Sequence, residues 1–178
     1  ADELKALKGQ IDGVYHLAAV YDLSADEETQ VRVNIEGTRN TIEFAKAIDA
    51  GHFHHVSSIA AAGLYEGVFR EDMFDEAENL EHPYFMTKHE SEKIVRKECK
   101  VPWSVYRPAM VVGDSQTGEM DKIDGPYYFF KLIQKLRKLL PPWMPMVGIE
   151  GGRLNLVPVN FIVDAMEHIA HQEGLDGQ

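Results

Sequence analysis

The sequence predicts an α/β protein whose parallel β-sheet is covered by helices on both faces. Short apolar runs bounded by Gly, Pro or Asp alternate with longer segments of helical periodicity, and helical connections of that length join parallel strands. The 178 residues are 44% hydrophobic, enough for a sizeable core. With no repeat and no Ser/Gly-rich linker, one domain or part of one is expected.

The first predicted strand is the apolar run "DGVYHLAA", which follows a turn signal and ends near Ala19. Ser24 and Glu27 have the spacing of a capping box, the arrangement in which two side chains bond the free backbone N–H groups at a helix start. Helical periodicity then runs from Val31 to Ile48. A helix is therefore predicted after the first strand.

The middle of the chain repeats this alternation. The run "HFHHVSS", residues 52–58, is predicted to be a strand, and residues 60–82 are predicted to be a loop. Pro83 suits the first turn of a helix that covers residues 84–98. A third strand, "PWSVYRP", is closed by Pro108.

A last helix–strand–helix segment completes the pattern. Residues 126–140 are predicted to form an amphipathic helix with Lys131, Lys135 and Lys138 opposite its apolar stripe. The run "RLNLVPV" is predicted to be a strand, after which Asn160 would cap the helix "FIVDAMEHIAH". The amphipathic helix either packs on the core with a solvated basic face or admits a lipid-like substrate at a membrane surface.

Composition limits the possible partners. No apolar run reaches the roughly 18 to 20 residues that cross a bilayer. The net charge of −11 disfavours nucleic-acid binding, because it repels phosphate backbones. The start of the chain lacks secretory-signal features, and the single Cys99 cannot form an intramolecular disulfide, so a cytoplasmic protein is expected. No metal is expected at His52, His54 and His55, since alternation along a strand separates their side chains.

Two Tyr-x-x-x-Lys pairs compete for a chemical role, Tyr84 with Lys88 and Tyr127 with Lys131. On a helix the lysine lies one turn after the tyrosine, where its charge would lower the tyrosine pKa from about 10. Tyr127 lies in the amphipathic helix and is expected to pack. Tyr84 is predicted to be the acid–base group, because a predicted strand that ends in "VSS" precedes it and ligands bind where parallel strands end.

Five stretches in this order resemble the extended short-chain dehydrogenase/reductase family: "HLAA", "NIEGT", "VSSIAAAG", "YFMTK" and "YRPAMVVG". The resemblance implies a Rossmann-like, doubly wound parallel sheet. Within the family, "FHHVSSIAAAG", "HPYFMTKHESEK" and "DKIDGPYYFFKLIQKLR" are most similar to the male-sterility-type module at the amino terminus of bacterial fatty acyl-CoA reductases.

The resemblance also implies roles for individual residues. Ser58 orients the substrate carbonyl, Tyr84 donates the proton, and Lys88 holds the nicotinamide ribose and acidifies Tyr84. Asn34 belongs to the proton relay or the cofactor wall. Ser57, beside the active Ser58, has no role in this pattern.

Contacts with a nicotinamide cofactor, NADP(H) rather than NAD(H), are implied by the same resemblance. Besides Tyr84 and Lys88, the residues that would border this cofactor are Ala18, Ala19, Pro108, Ala109, Met110 and Val111.

The implied activity is NADPH-dependent reduction of a fatty acyl-CoA, a fatty aldehyde or both, to a fatty alcohol, in lipid metabolism. Peripheral membrane contact would run through residues 127–140. A sterol-like or sugar-nucleotide dehydrogenase or epimerase would use the same residues. A non-catalytic dinucleotide-sensing or scaffold module is the alternative outside enzymes.

The sequence departs from the family at its phosphate-binding turn. Nothing matches Gly-x-x-Gly-x-x-Gly after a first strand, and the glycines of "AAGLYEG" follow the wrong strand. Residues 1–178 are therefore expected to be an internal and carboxyl-proximal part of one NAD(P)-binding domain, without its first three strands, in a larger polypeptide. Alone, this part is expected to bind cofactor poorly and to be inactive.

Overall fold

Helices and strands alternate along the chain, as predicted. The computed structural model describes residues 2–21, 25–120, 126–141 and 154–178. In these ranges the elements are, in order, α1 (Asp2–Leu7), β1 (Gly13–His16), α2 (Glu27–Gln30), α3 (Gly37–Ala47), β2 (His52–Val56), α4 (Pro83–Glu98), β3 (Trp103–Tyr106), β4 (Met110–Val112), α5 (Pro126–Leu139), β5 (Leu156–Pro158) and α6 (Val159–Ala170). Among them, α1 and β4 were not predicted from the sequence.

The chain divides into two compact units. The first comprises Ala1–Ala109 and Asp164–Gln178, and the second comprises Met110–Val163, so that α6 begins in the second unit and ends in the first. None of the helices in the described ranges is both long enough and apolar enough to cross a membrane.

A parallel sheet in the order β1-β2-β3 forms the centre of the first unit. Val14 pairs with Phe53, and Phe53 with Trp103. Parallel neighbours need crossover connections, which α2 and α3 supply between the first two strands and α4 supplies between the next two. The predicted α/β class with parallel, Rossmann-like strand pairing is confirmed.

The core lies between this sheet and helices α3 and α4. Phe53 on β2 is fully buried and packs with a cluster of apolar side chains from both helices. These are Ile42, Ala45 and Ile48 from α3 and its C-terminus, with Ile94 and Val95 from α4. The three-residue spacing in α3 places its apolar residues on one side of the helix, which accounts for its packing.

The helix that follows β1 starts and continues differently from the prediction. Its N-cap is Asp26, whose carboxylate accepts the Thr29 N–H at 2.8 Å. The predicted cap residue, Ser24, lies outside the described residues, and the capping-box prediction was wrong about the helix start. Between α2 and α3, Val31–Glu36 form a π-helical turn, a local widening frequent at functional sites.

The region predicted as a loop contains short ordered elements. Ile59–Ala62 form a 3₁₀ turn directly after Ser58. Gly63 has φ of 64°, and its backbone pairs with Glu78 so closely that an added Cβ would overlap the Glu78 carbonyl oxygen. Glycine is therefore required where the loop folds back.

The start of α4 follows the prediction. Pro83 occupies its first turn, and the His82 ring accepts the Tyr84 N–H at 3.2 Å. This cap fixes the helix start where Tyr84 lies.

In the second unit, β4 and β5 pair in parallel. The Gly113 N–H donates to the Tyr127 hydroxyl at 2.6 Å, so Tyr127 at the start of α5 has a structural partner. Asn160 does not cap α6 as predicted, since the helix already begins at Val159. Its side-chain amide instead bonds the backbone N–H and hydroxyl of Ser115, both at 3.0 Å.

Candidate active site

The carboxyl edge of the three-stranded sheet gathers the predicted site residues of the first unit. Ala18 and Ala19 follow β1, Ser58 follows β2, and Pro108 and Ala109 follow β3. Strands that run in parallel end at the same edge, where open α/β sheets bind ligands. Met110 and Val111, the other predicted cofactor contacts, belong to β4 in the second unit and are over a third exposed.

Ser58 and Tyr84 meet at this edge through a hydrogen bond between their side chains. Ser58 has an extended backbone, with φ −164° and ψ 156°, and its hydroxyl also accepts the Ala60 N–H at 3.2 Å. Both residues are partly exposed, so a ligand could reach the hydroxyl pair.

The pKa of Tyr84 is raised, not lowered as expected. Burial is the larger cause, and the hydrogen bond with Ser58 opposes it only in part. The Lys88 ammonium, which was expected to acidify Tyr84, donates to the Val56 carbonyl oxygen at 3.1 Å. Tyr84 therefore carries its proton at neutral pH, the state that a proton donor needs.

Lys88 is a buried cation one helical turn after Tyr84. It is only 5% exposed, and burial lowers its pKa to about 8, against the opposing charge of Glu92. Its ammonium is therefore largely charged at neutral pH and sensitive to small changes in its surroundings.

The two neighbouring serines have different partners. Ser57 is buried, and its hydroxyl donates to Glu92 Oε2 at 2.9 Å. Ser58 faces Tyr84 instead. The catalytic role of Ser58 stays a prediction, but of the two serines it has the hydroxyl that lies beside Tyr84.

Asn34 holds backbone segments around the site. Its side-chain oxygen accepts the Val20 N–H at 2.8 Å, and its amide nitrogen donates to Val20 O and Thr87 Oγ1, both at 3.1 Å. Thr87 precedes Lys88 on α4. Asn34 therefore links the segment after β1 to the helix of the Tyr–Lys pair, and its predicted part in a proton relay stays a prediction.

Two buried histidines line the helix-covered face of the sheet near Lys88. The rings of His16 and His55 stack with centroids 5.4 Å apart, and His16 Nε2 bonds Thr38 Oγ1 at 3.1 Å. Burial, and then the charge of Lys88, lower the pKa of His16 to about 4 and that of His55 still more strongly. Neither ring nitrogen of His55 has a hydrogen-bond partner among the described residues. Both rings are therefore neutral at neutral pH.

On the opposite face, His52 and His54 bond Ser104 and Tyr106 at 3.0 and 2.9 Å. No group of three or more His, Cys, Asp or Glu side chains in the described part of the chain is placed to hold a metal ion.

Sequence reasoning missed Glu92, which is fully buried and bonded to Ser57, Arg96 and Arg107. Its position four residues after Lys88 on one helix face was the available signal.

We expect the buried histidines to make stability fall on acidification. Their pKa values are lower in the folded chain than the ordinary 6.5, so between pH 6.5 and about 4 the unfolded chain binds more protons. The stabilisation is complete above pH 6.5 and is lost as pH falls toward 4. Each such histidine contributes a slope of up to about 1.4 kcal/mol per pH unit. Urea unfolding between pH 7.5 and 4.5 measures it.

The matched variants are His16→Gln, which should reduce this slope, and His168→Gln on an exposed position of α6, which should not. Equal slopes in the parent and the His16→Gln variant would show that His16 is not the titrating group.

Comparison with known proteins is consistent with this geometry. A family profile described as "Male sterility protein" matches residues 1–166. A linear gramicidin synthase of Brevibacillus parabrevis is 28% identical over 97% of this chain, and aldehyde reductase lnbA of Aspergillus flavus is 27% identical over 93%. The chain spans only 3% and 17% of the lengths of these relatives.

Two solved structures share the fold. The terminal R domain from the myxalamid PKS-NRPS biosynthetic pathway superposes with a TM-score of 0.82 at 23% identity, over 99% of this chain and 44% of that one. UDP-glucuronic acid 4-epimerase from Bacillus cereus, in complex with UDP-glucuronic acid and NAD, superposes with a TM-score of 0.68 at 24% identity, over 98% of this chain and 54% of that one.

Proposed function

Because the chain belongs to the male sterility protein family of NAD-binding domains, we propose that it supplies the catalytic residues of an NADPH-dependent carbonyl reductase. The observation that carries this proposal is the hydrogen-bonded pair of Ser58 and Tyr84 at the carboxyl edge of the sheet. Lys88, one turn further along α4, completes the group with a buried positive charge.

The residues at the sheet edge fit a nicotinamide cofactor. When bound, that cofactor supplies the hydride for the carbonyl carbon. Lys88 has an ammonium that can donate to a ribose hydroxyl, and Ala18 and Ala19 are small, partly or fully exposed residues that leave room beside β1. We propose NADPH rather than NADH from the sequence resemblance alone.

Tyr84 is the proposed proton donor. The Ser58 hydroxyl would hydrogen-bond the carbonyl oxygen, and Tyr84 would give its phenolic proton to the oxygen that becomes the alcohol. The Lys88 ammonium would then stabilise the phenolate that remains. The raised pKa of Tyr84 keeps the proton in place before the reaction.

A fatty acyl-CoA or fatty aldehyde is the proposed substrate class. Helix α5 carries exposed apolar side chains, among them Phe129 at 54% and Leu132 at 51%, which could contact an acyl chain or a membrane surface. Lys131, Lys135 and Lys138 on the same helix are also exposed and could bind phosphates of coenzyme A or of anionic lipid. A dehydrogenase or epimerase of a sugar nucleotide is the second candidate, supported by the fold shared with the Bacillus cereus epimerase.

We further propose that residues 1–178 are the internal and carboxyl-proximal part of one NAD(P)-binding domain in a larger polypeptide. The small share of each relative that the chain spans supports this, as does the lack of a glycine-rich phosphate turn in the sequence. Experiments on activity accordingly use the full-length protein.

The test measures turnover of the full-length protein with a long-chain acyl-CoA, a long-chain aldehyde and a UDP-sugar, each with NADPH or NADH. We expect NADPH oxidation with the acyl-CoA and the aldehyde, a fatty alcohol as product, and at least about tenfold higher kcat/KM with NADPH than with NADH. Chromatography of the products and absorbance of the reduced cofactor provide the two measurements.

Conversion of the UDP-sugar without lipid reduction would replace the proposal with the second candidate. Tight dinucleotide binding without turnover of any of the three would indicate a sensing or scaffold module.

A further inference from the structure

Glu92 is a fully buried carboxylate with three side-chain partners. Arg107 donates to it from Nε at 3.1 Å and from Nη2 at 2.6 Å, and Arg96 donates from Nε at 2.9 Å. The Ser57 hydroxyl donates at 2.9 Å. These charge-assisted bonds fully occupy the carboxylate, so its position is set by contacts on several sides.

The partners of Glu92 come from the segments that carry the proposed site. Ser57 immediately precedes Ser58, and Arg107 immediately precedes Pro108. Glu92 itself lies one turn after Lys88 on α4. One carboxylate therefore connects the carboxyl ends of β2 and β3 to the helix of the Tyr–Lys pair.

Arg107 extends this connection to the loop after the 3₁₀ turn. Its guanidinium donates to the Met73 carbonyl oxygen at 2.9 Å and lies over the Phe69 ring at 5.3 Å from the ring centre. Loss of the Glu92 charge would therefore leave a partly buried arginine without its main counter-ion.

The charges around Lys88 are unequal. On the strands the neighbouring groups are the neutral His16 and His55, and on α4 they are Tyr84, which is protonated, and Glu92. Burial alone would raise the pKa of Glu92, but the bonds and charges of Arg107, Ser57 and Arg96 hold it below its ordinary value. Glu92 is thus the ionised acid that opposes the effect of burial on Lys88.

We propose that Glu92 is a positioning residue for the site: its carboxylate holds the segments of Ser58, Lys88 and Pro108 together and keeps the Lys88 ammonium charged. This inference deepens the proposed reductase function and rests on it for its catalytic consequence. Glu92 itself makes no contact with the reacting atoms in this account.

The test is Glu92→Gln in the full-length protein, which preserves shape and removes the charge. Titration of Lys88, followed by NMR of protein labelled with ¹³Cε-lysine and assigned with Lys88→Arg, should move to lower pH by at least about half a unit. The alkaline limb of kcat/KM for the aldehyde should move in the same direction, because a deprotonated Lys88 no longer supports Tyr84.

Ser57→Ala is the matched control, since it removes one hydrogen bond to Glu92 and leaves the charge. Lys88 titration and the pH profile should both stay within about 0.2 units of the parent. A purely structural Glu92 would lower stability and turnover in Glu92→Gln without moving the Lys88 titration, and that result would overturn the proposal.

Arg96→Gln keeps the test open if Glu92→Gln does not fold, because the Arg96 side chain is 26% exposed. Removal of this cation should shift the Lys88 titration to higher pH, and no shift would overturn the proposal. A parent protein without reductase turnover, but with a Lys88 titration that moves in the variants, would contradict the proposed function and support the electrostatic link from Glu92.

Discussion

Replacement of Tyr84 by Phe is expected to lower the turnover of the full-length protein at least about a hundredfold, the usual scale for loss of a positioned acid. The variant removes only the hydroxyl that bonds Ser58 and leaves the ring in place. The substrate should still bind, so kcat should fall much more than KM rises. Steady-state assays with NADPH and a long-chain aldehyde measure the effect.

Tyr127→Phe is the control, because Tyr127 also has a lysine four positions later. Its hydroxyl accepts the Gly113 N–H, so the variant should lose a little stability in the second unit and retain most activity. Similar losses of turnover in both variants would contradict the assignment of Tyr84.

Phe53→Ala should destabilise the protein by about 3 to 5 kcal/mol. Phe53 is fully buried on the central strand, among apolar side chains of α3 and α4, and the smaller residue would leave a cavity there. The sheet edge of the proposed site rests on this core. Urea unfolding at neutral pH measures the free energy of unfolding.

The control for this prediction is Phe44→Ala on α3, whose parent side chain is 39% exposed. Its cost should be below about 1 kcal/mol, as is usual for surface positions. An equal effect of the two variants would mean that the core of the first unit is not centred on Phe53.

The predictions about charge show why burial has to be known. Spacing along a helix correctly placed Lys88 one turn after Tyr84, and from this we expected a lowered tyrosine pKa. In the structure, burial dominates and raises it. Whether a hydroxyl is desolvated depends on segments distant in the chain, so local spacing alone could not give the direction.

Helix starts were also beyond local pattern. Ser24 and Asn160 both had the residue type of an N-cap, yet Asp26 caps one helix and Asn160 bonds Ser115 instead. Side chains of these types bond whichever backbone group lies near, and several candidates stand close together in the sequence.

By itself the sequence determined the alternation of strands and helices, the parallel sheet, and the positions of Ser58, Tyr84 and Lys88 at a strand end and along one helix face. These features follow from periodicities of two and 3.6 residues, which the chain carries locally. Only the tertiary structure decided that Ser57 is bound to Glu92, that His16 and His55 lie near Lys88, and that Arg107 reaches Glu92 across 15 positions of sequence. The physical reason is that these contacts arise where strands and helices pack, so their distances and burial depend on the whole fold.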